Sequence, residues 1–186
     1  MKKRHMRATK SMITPPIILD LEASGFGRGS YPIEVGLAMD DGHLESHLIQ
    51  PFDHWTHWQE SAEAIHGISR AQLIEGGEEG RFVADELNRL LHGQTVYSDG
   101  WGVDRSWLAL LFHEAGVFQG FKIDTIFSLL SEVQLESWNV NKEKVLKITG
   151  LKLHRAGTDA SLIQQTYLYT VDRPAFEKHL RSISAA

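Results

Sequence analysis

The chain has 186 residues, 42% hydrophobic and 23% charged, with a formal net charge of −5 and no cysteine. Length and composition fit one globular domain with a core of its own, and the missing cysteine excludes disulfides, thiolate metal sites and cysteine nucleophiles. Five Lys/Arg and no acid fall within Met1 to Lys10, which leaves fourteen Lys/Arg against twenty-four Asp/Glu, a net −10, in the remainder; that balance argues against a broad basic surface that coats nucleic acid.

Residues 1–15 read as a basic, disordered arm, and 16–186 as a single domain. Ser11 to Pro16 is too short and too Pro-broken for a signal-peptide core. No stretch approaches the roughly 18 apolar residues of a membrane span. With no cysteine, this predicts a soluble, cytoplasmic protein.

Ile17-Ile18-Leu19-Asp20-Leu21-Glu22 reads as the first strand. Alternate strand side chains share a face, so Asp20 and Glu22 point the same way and repel. A divalent cation would turn that repulsion into ligation; the competing reading is a strand end running into a solvated loop. The glycine-rich loop over 23–30 lacks the Lys-Ser/Thr of a P-loop and the spacing of a dinucleotide fingerprint. Pro32 to Met39 and His43 to Gln50 form a hairpin around Asp40-Asp41-Gly42. The chain therefore opens with three strands rather than a βαβ unit.

Pro51 to Gln59 is a loop rich in His and Trp. Its His54-x-x-His57 pair has metal-ligand spacing but no third ligand nearby, and its tryptophans favour packing over base stacking. Ser69 caps a short helix to Ile74, and a helix over Glu79 to Leu91 follows the Gly76-Gly77 break. Gln94 to Ser98 is a strand, Asp99-Gly100-Trp101-Gly102 a turn, and Val103 to Ala115 a helix. Phe121 to Ile123 is the fifth strand. Helical stretches then cover Thr125 into Val133, Lys142 to Thr149, Thr158 to Thr170 and Pro174 to Ser182. The order βββ, α, β, α, β, then helices predicts an α/β fold, a mixed sheet with helices packed on it.

Three acid-bearing segments stand out: Asp20-x-Glu22, Asp104 after a Gly-rich turn, and His154-Arg155-Ala156-Gly157-Thr158-Asp159-Ala160. Their order and spacing resemble the DEDD-type 3′–5′ exonucleases in the subgroup with a catalytic histidine (DEDDh). That family includes the proofreading subunit of bacterial DNA polymerase III, ribonuclease T and oligoribonuclease. Asp20-Leu21-Glu22-Ala23-Ser24-Gly25 is similar to its first motif, Ile33-Glu34-Val35-Gly36 to its second strand, and Ile65-His66-Gly67-Ile68 to its His-Gly segment. His154, Ala156, Asp159 and Ala160 match its third motif. The second motif departs: Gly100 and Val103 stand where the family has Asn and an aromatic. Asp104 is favoured as the third carboxylate because an apolar helix follows it, with Asp99 as the rival.

The resemblance implies an RNase H-like fold, a five-stranded mixed sheet with its first three strands antiparallel. It implies two Mg²⁺ or Mn²⁺ ions held by Asp20, Glu22, Asp104 and Asp159, with His154 as general base. Ala23, Ser24, Gly25 and His66 would meet the 3′ end of single-stranded DNA or RNA, and Arg105 and Arg155 could meet phosphates. Homodimers occur in the family. The altered second motif keeps a second expectation open, a catalytically silent single-strand-binding module on the same fold.

Overall fold

Alternation decides where the first strand's acids point. The computed structural model describes residues 13–183. In strand β1 (Ile18–Ala23), Leu19, Leu21 and Ala23 enter one apolar cluster while Ile18 enters another. Asp20 and Glu22 share Ile18's face by the two-residue strand period. The strand is buried on both sides, so its carboxylates point into a layer of protein.

Antiparallel β2 (Pro32–Ala38) and β3 (Leu44–Leu48) extend the sheet on one side. The turn between them carries Gly42 at φ 91°, the left-handed geometry that the Asp-Gly pair predicts. Helices α1 (Glu60–His66), α2 (Arg70–Gly76) and α3 (Gly80–Leu91) lead to β4 (Thr95–Ser98). Helix α4 (Trp101–Ala115) then returns the chain to β5 (Lys122–Thr125). β4 lies parallel to β1 and to β5, which gives the order β3-β2-β1-β4-β5. This is the mixed α/β sheet with an antiparallel start that the sequence predicts.

A 3₁₀ turn over Ile126–Leu129 precedes α5 (Glu132–Thr149), and α6 (Ala156–Val171) and α7 (Arg173–Ile183) complete the chain. Val83, Leu87, Leu108, Leu111 and Phe112 from α3 and α4 pack on one sheet face. Ile18, Ala38, Trp138, Ala160 and Ile163 meet on the other, where α6 lies. Each large apolar side chain withdrawn from water in this way contributes about 1.5–3 kcal/mol. α6 is buried almost all round because it is wedged between the sheet, α5 and α7, so its sequence shows little amphipathic contrast.

Several boundaries differ from expectation. The helix expected from Thr125 to Val133 is broken at Leu130, which is extended, and restarts at Ser131, whose N–H donates to Gln134 Oε1 at 2.9 Å. From there α5 runs unbroken to Thr149, well ahead of the expected start at Lys142. α4 begins at Trp101 rather than Val103, and β5 sits slightly later than expected. α1 was not anticipated. Ser69 caps α2 as expected and forms a reciprocal box with Gln72. Most of the expected arm, residues 1–12, lies outside the described residues, while Ile13, Thr14 and Pro15 line a cleft with Ala175 and His179 of α7. No helix among the described residues is long and apolar enough to cross a membrane.

One contact fixes the depth of α6. A Cβ on Gly36 of β2 would lie 2.0 Å from Gly157 N and 2.1 Å from the Ala156 carbonyl carbon. Backbone on both sides cannot yield, so Gly36→Ala is expected to lose about 3 kcal/mol or more, at the upper end of overpacking costs. Urea denaturation checks this, and an unchanged midpoint would contradict it.

Candidate active site

The acids converge where β1 and β4 end. β1 delivers Asp20 and Glu22; β4 runs through Ser98 into α4, whose first turn carries Asp104. Asp104 is 4% exposed and accepts a hydrogen bond from the Ser98 hydroxyl. From the far side, the bend before α6 presents His154 and the helix's first turn presents Asp159. Ligand atoms of Glu22, His154 and Asp159 all lie within 4.8 Å of one another. Asp20 and Asp104 join this group electrostatically, and the Asp104 charge is the largest acting on Asp20.

The electrostatics are those of crowded, half-sealed carboxylates. Burial pushes Asp20 well above the usual carboxylate range, and Asp104, Asp159 and Glu22 add to the shift. Burial, followed by Asp159 and Glu34, pushes Glu22 up to about 7, with Arg155 opposing. Asp104 rises to about 6 through burial, although the Ser98 hydroxyl pulls it back. Asp159 is raised by burial against the His154 N–H and the His154 and Lys142 charges. Four carboxylates that resist joint ionisation, converging without enough cationic partners, fit hard divalent cations bound through oxygen. The donors suit Mg²⁺ or Mn²⁺ better than soft metals.

Asp99, the rival third carboxylate, lies 2.5 Å from Lys142 Nζ of α5 and also acts on Asp20, Asp104 and Asp159, whereas Asp104 has the neutral Ser98 hydroxyl as its side-chain partner. His154 stands at φ 71°, the one non-glycine residue with positive φ among the described residues. That conformation costs on the order of 1–3 kcal/mol and persists only where the surroundings impose it. Asp159 Oδ2 accepts the His154 N–H at 2.9 Å.

Beside Glu22 is a cavity of about 120 Å³ lined by Glu22, Ala23, Gly25, Phe26, His66 and Trp107. His66 is 6% exposed; its Nδ1 accepts the Ile68 N–H at 3.1 Å, so the ring proton sits on Nε2, which is buried without a partner. Burial lowers its pKa, keeping the ring neutral. Ser24 faces inward instead: it is fully buried, and its hydroxyl joins His57 Nδ1 at 2.9 Å and accepts the Tyr31 N–H at 3.1 Å. Gly25, at φ 132°, leaves space for the Gln59 carboxamide, which bonds both polar groups of the Phe26 backbone.

The His54/His57 pair does not assemble a metal site. His57 bonds Ser24, and His54 lies 3.1 Å from Glu114. Trp55 is packed, stacked on Tyr31 at 4.9 Å. Arg105 lies over the Trp101 ring at 5.4 Å. Arg155, expected to meet phosphate, instead grips Glu34. Glu34 is the one acid in an otherwise apolar strand, a pattern that sets it apart in the sequence.

No protein-family model and no curated protein matches the chain. Solved structures do. Exonuclease I of Escherichia coli in complex with a dT13 oligonucleotide superimposes with a TM-score of 0.63 at 14% identity, covering 91% of this chain and 45% of that one. The zinc-bound form of the E. coli enzyme with single-stranded DNA gives 0.62 at 14% identity, over 87% and 42%. A moderately thermophilic exonuclease I from Methylocaldum szegediense gives the same figures. The chain thus spans less than half the length of these neighbours. At this identity the likeness shows the fold alone, that of the matched part of exonuclease I.

Proposed function

We propose that the chain is a metal-dependent 3′–5′ exonuclease that hydrolyses phosphodiester bonds at the 3′ end of single-stranded or short nucleic acid. The observation that carries this is the meeting of Asp20, Glu22, Asp104 and Asp159 with His154 beside the ends of the central strands β1 and β4. Exonuclease I neighbours bound to single-stranded DNA, one of them with zinc, support it.

The four carboxylates would hold two Mg²⁺ or Mn²⁺ ions. Bound there, the ions supply charge neutralisation for the reacting phosphodiester in an in-line displacement. The chain's residues do the remainder. His154 accepts the proton of the attacking water as general base, while Asp159 holds its backbone. Ala23 and Gly25 leave the cavity beside Glu22 open to the terminal nucleotide. His66 lines that cavity with a neutral ring. The inward-facing Ser24 shapes this loop from beneath. We place residues 16–186 together as the exonuclease domain, working in the cytoplasm.

Degradation of 5′-labelled single-stranded DNA, single-stranded RNA and dinucleotides with Mg²⁺, Mn²⁺ or chelator tests this reading. The expected result is stepwise shortening from the 3′ end with mononucleotide release, lost on chelation. His154→Ala should lower kcat by about 10²–10⁴-fold, the usual scale of general acid–base catalysis. Tight single-strand binding without hydrolysis under every metal would instead identify a silent binding module.

A further inference from the structure

The start of α6 is fastened to the sheet by contacts that the roles above leave unused. Glu34 is 1% exposed in the middle of β2, directly across from Glu22 in the β1–β2 register. Its two carboxylate oxygens each accept Arg155 Nε at 3.1 Å, one also accepts Arg155 Nη2 at 2.6 Å, and the other accepts the Ala156 N–H at 3.0 Å. Two residues along β2, Gly36 lets the Ala156–Gly157 backbone come close, and Gly157 in turn sits against Ser46 Oγ of β3. Residues 155–157 are therefore held from the sheet side.

His154 is the next residue, and it adopts the left-handed conformation that a side chain other than glycine keeps only under constraint. On its far side Asp159 takes its N–H. A buried carboxylate in an apolar strand is costly, and an apolar residue of similar size would fill the space. What only a carboxylate supplies is a fork that binds a guanidinium and a backbone N–H together.

We propose that Glu34 is a positioning residue for His154. It anchors Arg155 and Ala156 so that the backbone turns at His154 and holds the solvent-exposed imidazole within reach of Glu22 and Asp159. Arg155 is the second half of the device; its guanidinium serves the protein rather than the substrate. The inference rests on the reading of His154 as the general base.

A mutant cycle on the metal-loaded full chain tests it, run below the melting temperature of the weakest variant. Glu34→Gln should lower kcat about 10²-fold, the cost of a misplaced catalytic group, with KM within about twofold of the parent. Arg155→Lys, which keeps the charge but loses the fork, should lie between. In a His154→Ala background, Glu34→Gln should change kcat by less than about twofold, because residues acting through one another are not additive. A crystal structure of Glu34→Gln should show His154 out of the positive-φ region. A merely structural Glu34 would lower the melting temperature and leave kcat intact. Retained kcat in Glu34→Gln, additive losses in the cycle, or His154 still near φ 71° would each overturn the proposal. Should Glu34→Gln not fold, Arg155→Lys carries the same cycle and the same crystal comparison. If His154→Ala hydrolyses normally, the general-base reading fails, and the backbone angle in the variant crystal still decides the positioning claim.

Discussion

Asp20→Asn is expected to abolish hydrolysis and, at pH 8 without metal, to make the protein more stable. Both effects have one cause. Asp20 is buried among like charges, and burial together with Asp104, Asp159 and Glu22 holds its carboxyl well above the ordinary range. Ionising it at pH 8 without a cation costs folding free energy, because charge is withdrawn from water beside other charge. Asn keeps the shape and removes the charge, so a gain of about 1–3 kcal/mol is expected, the scale of an uncompensated buried polar group. Thermal unfolding in chelator would register this as a rise of several degrees. The loss of activity should be larger, on the order of 10³-fold or more in kcat, since a ligand to transition-state-stabilising cations contributes several kcal/mol. A variant that loses both activity and stability would point to an ordinary structural aspartate. One that keeps its activity would remove Asp20 from the site.

Metal-free protein should lose stability as pH rises from about 5 to 8, and saturating Mn²⁺ should reverse that loss. Glu22 ionises at about 7 in the folded protein against 4.5 in the open chain, and Asp104 at about 6 against 3.8. Between those values the folded state binds more protons than the unfolded one, so stability falls with pH. The contribution is fully present below the open-chain values and is gone once pH has risen through about 6 for Asp104 and about 7 for Glu22. Counted over pH 5 to 8 alone and with Glu22 discounted for its partial exposure, the combined loss is about 2–3 kcal/mol, or roughly 4–12 °C in Tm for a chain of this size. Mn²⁺ at a hundred times its Kd should return about 2.7 kcal/mol for each site it fills at pH 8. Glu22→Gln should flatten the pH slope in chelator. Melting curves with and without metal at each pH provide the measurement, and a Tm that rises with pH in chelator would count against the crowded-carboxylate account.

The sheet was legible because its strands announce themselves locally. Asp40-Asp41-Gly42 sits between two β-rich runs, and the alternation at Asp20 and Glu22 places both acids on one face. The helical half was less legible where burial hides the pattern. α6 is covered on nearly every side, so its apolar and polar residues do not sort into faces. The first half of α5 is hard to read because Gln134 to Asn141 mix polar and apolar residues, and its start depends on the box between Ser131 and Gln134. At the candidate site, the acids and His154 stood out through spacing. The partners that set their geometry lie far off in sequence: Glu34 is 121 residues from Arg155, and Lys142 is 43 from Asp99. A short spacing cannot report a contact that the fold alone creates.

The acids from β1, α4 and α6 are expected to form one divalent-metal site. Calorimetric titration of the chelator-stripped protein with Mn²⁺ at pH 8, in the presence of a nucleoside 5′-monophosphate, tests it most directly. Two Mn²⁺ per chain are expected, as a paired-metal displacement requires, and one or none after Asp20→Asn. No uptake at millimolar Mn²⁺, or the same stoichiometry in Asp20→Asn, would contradict it.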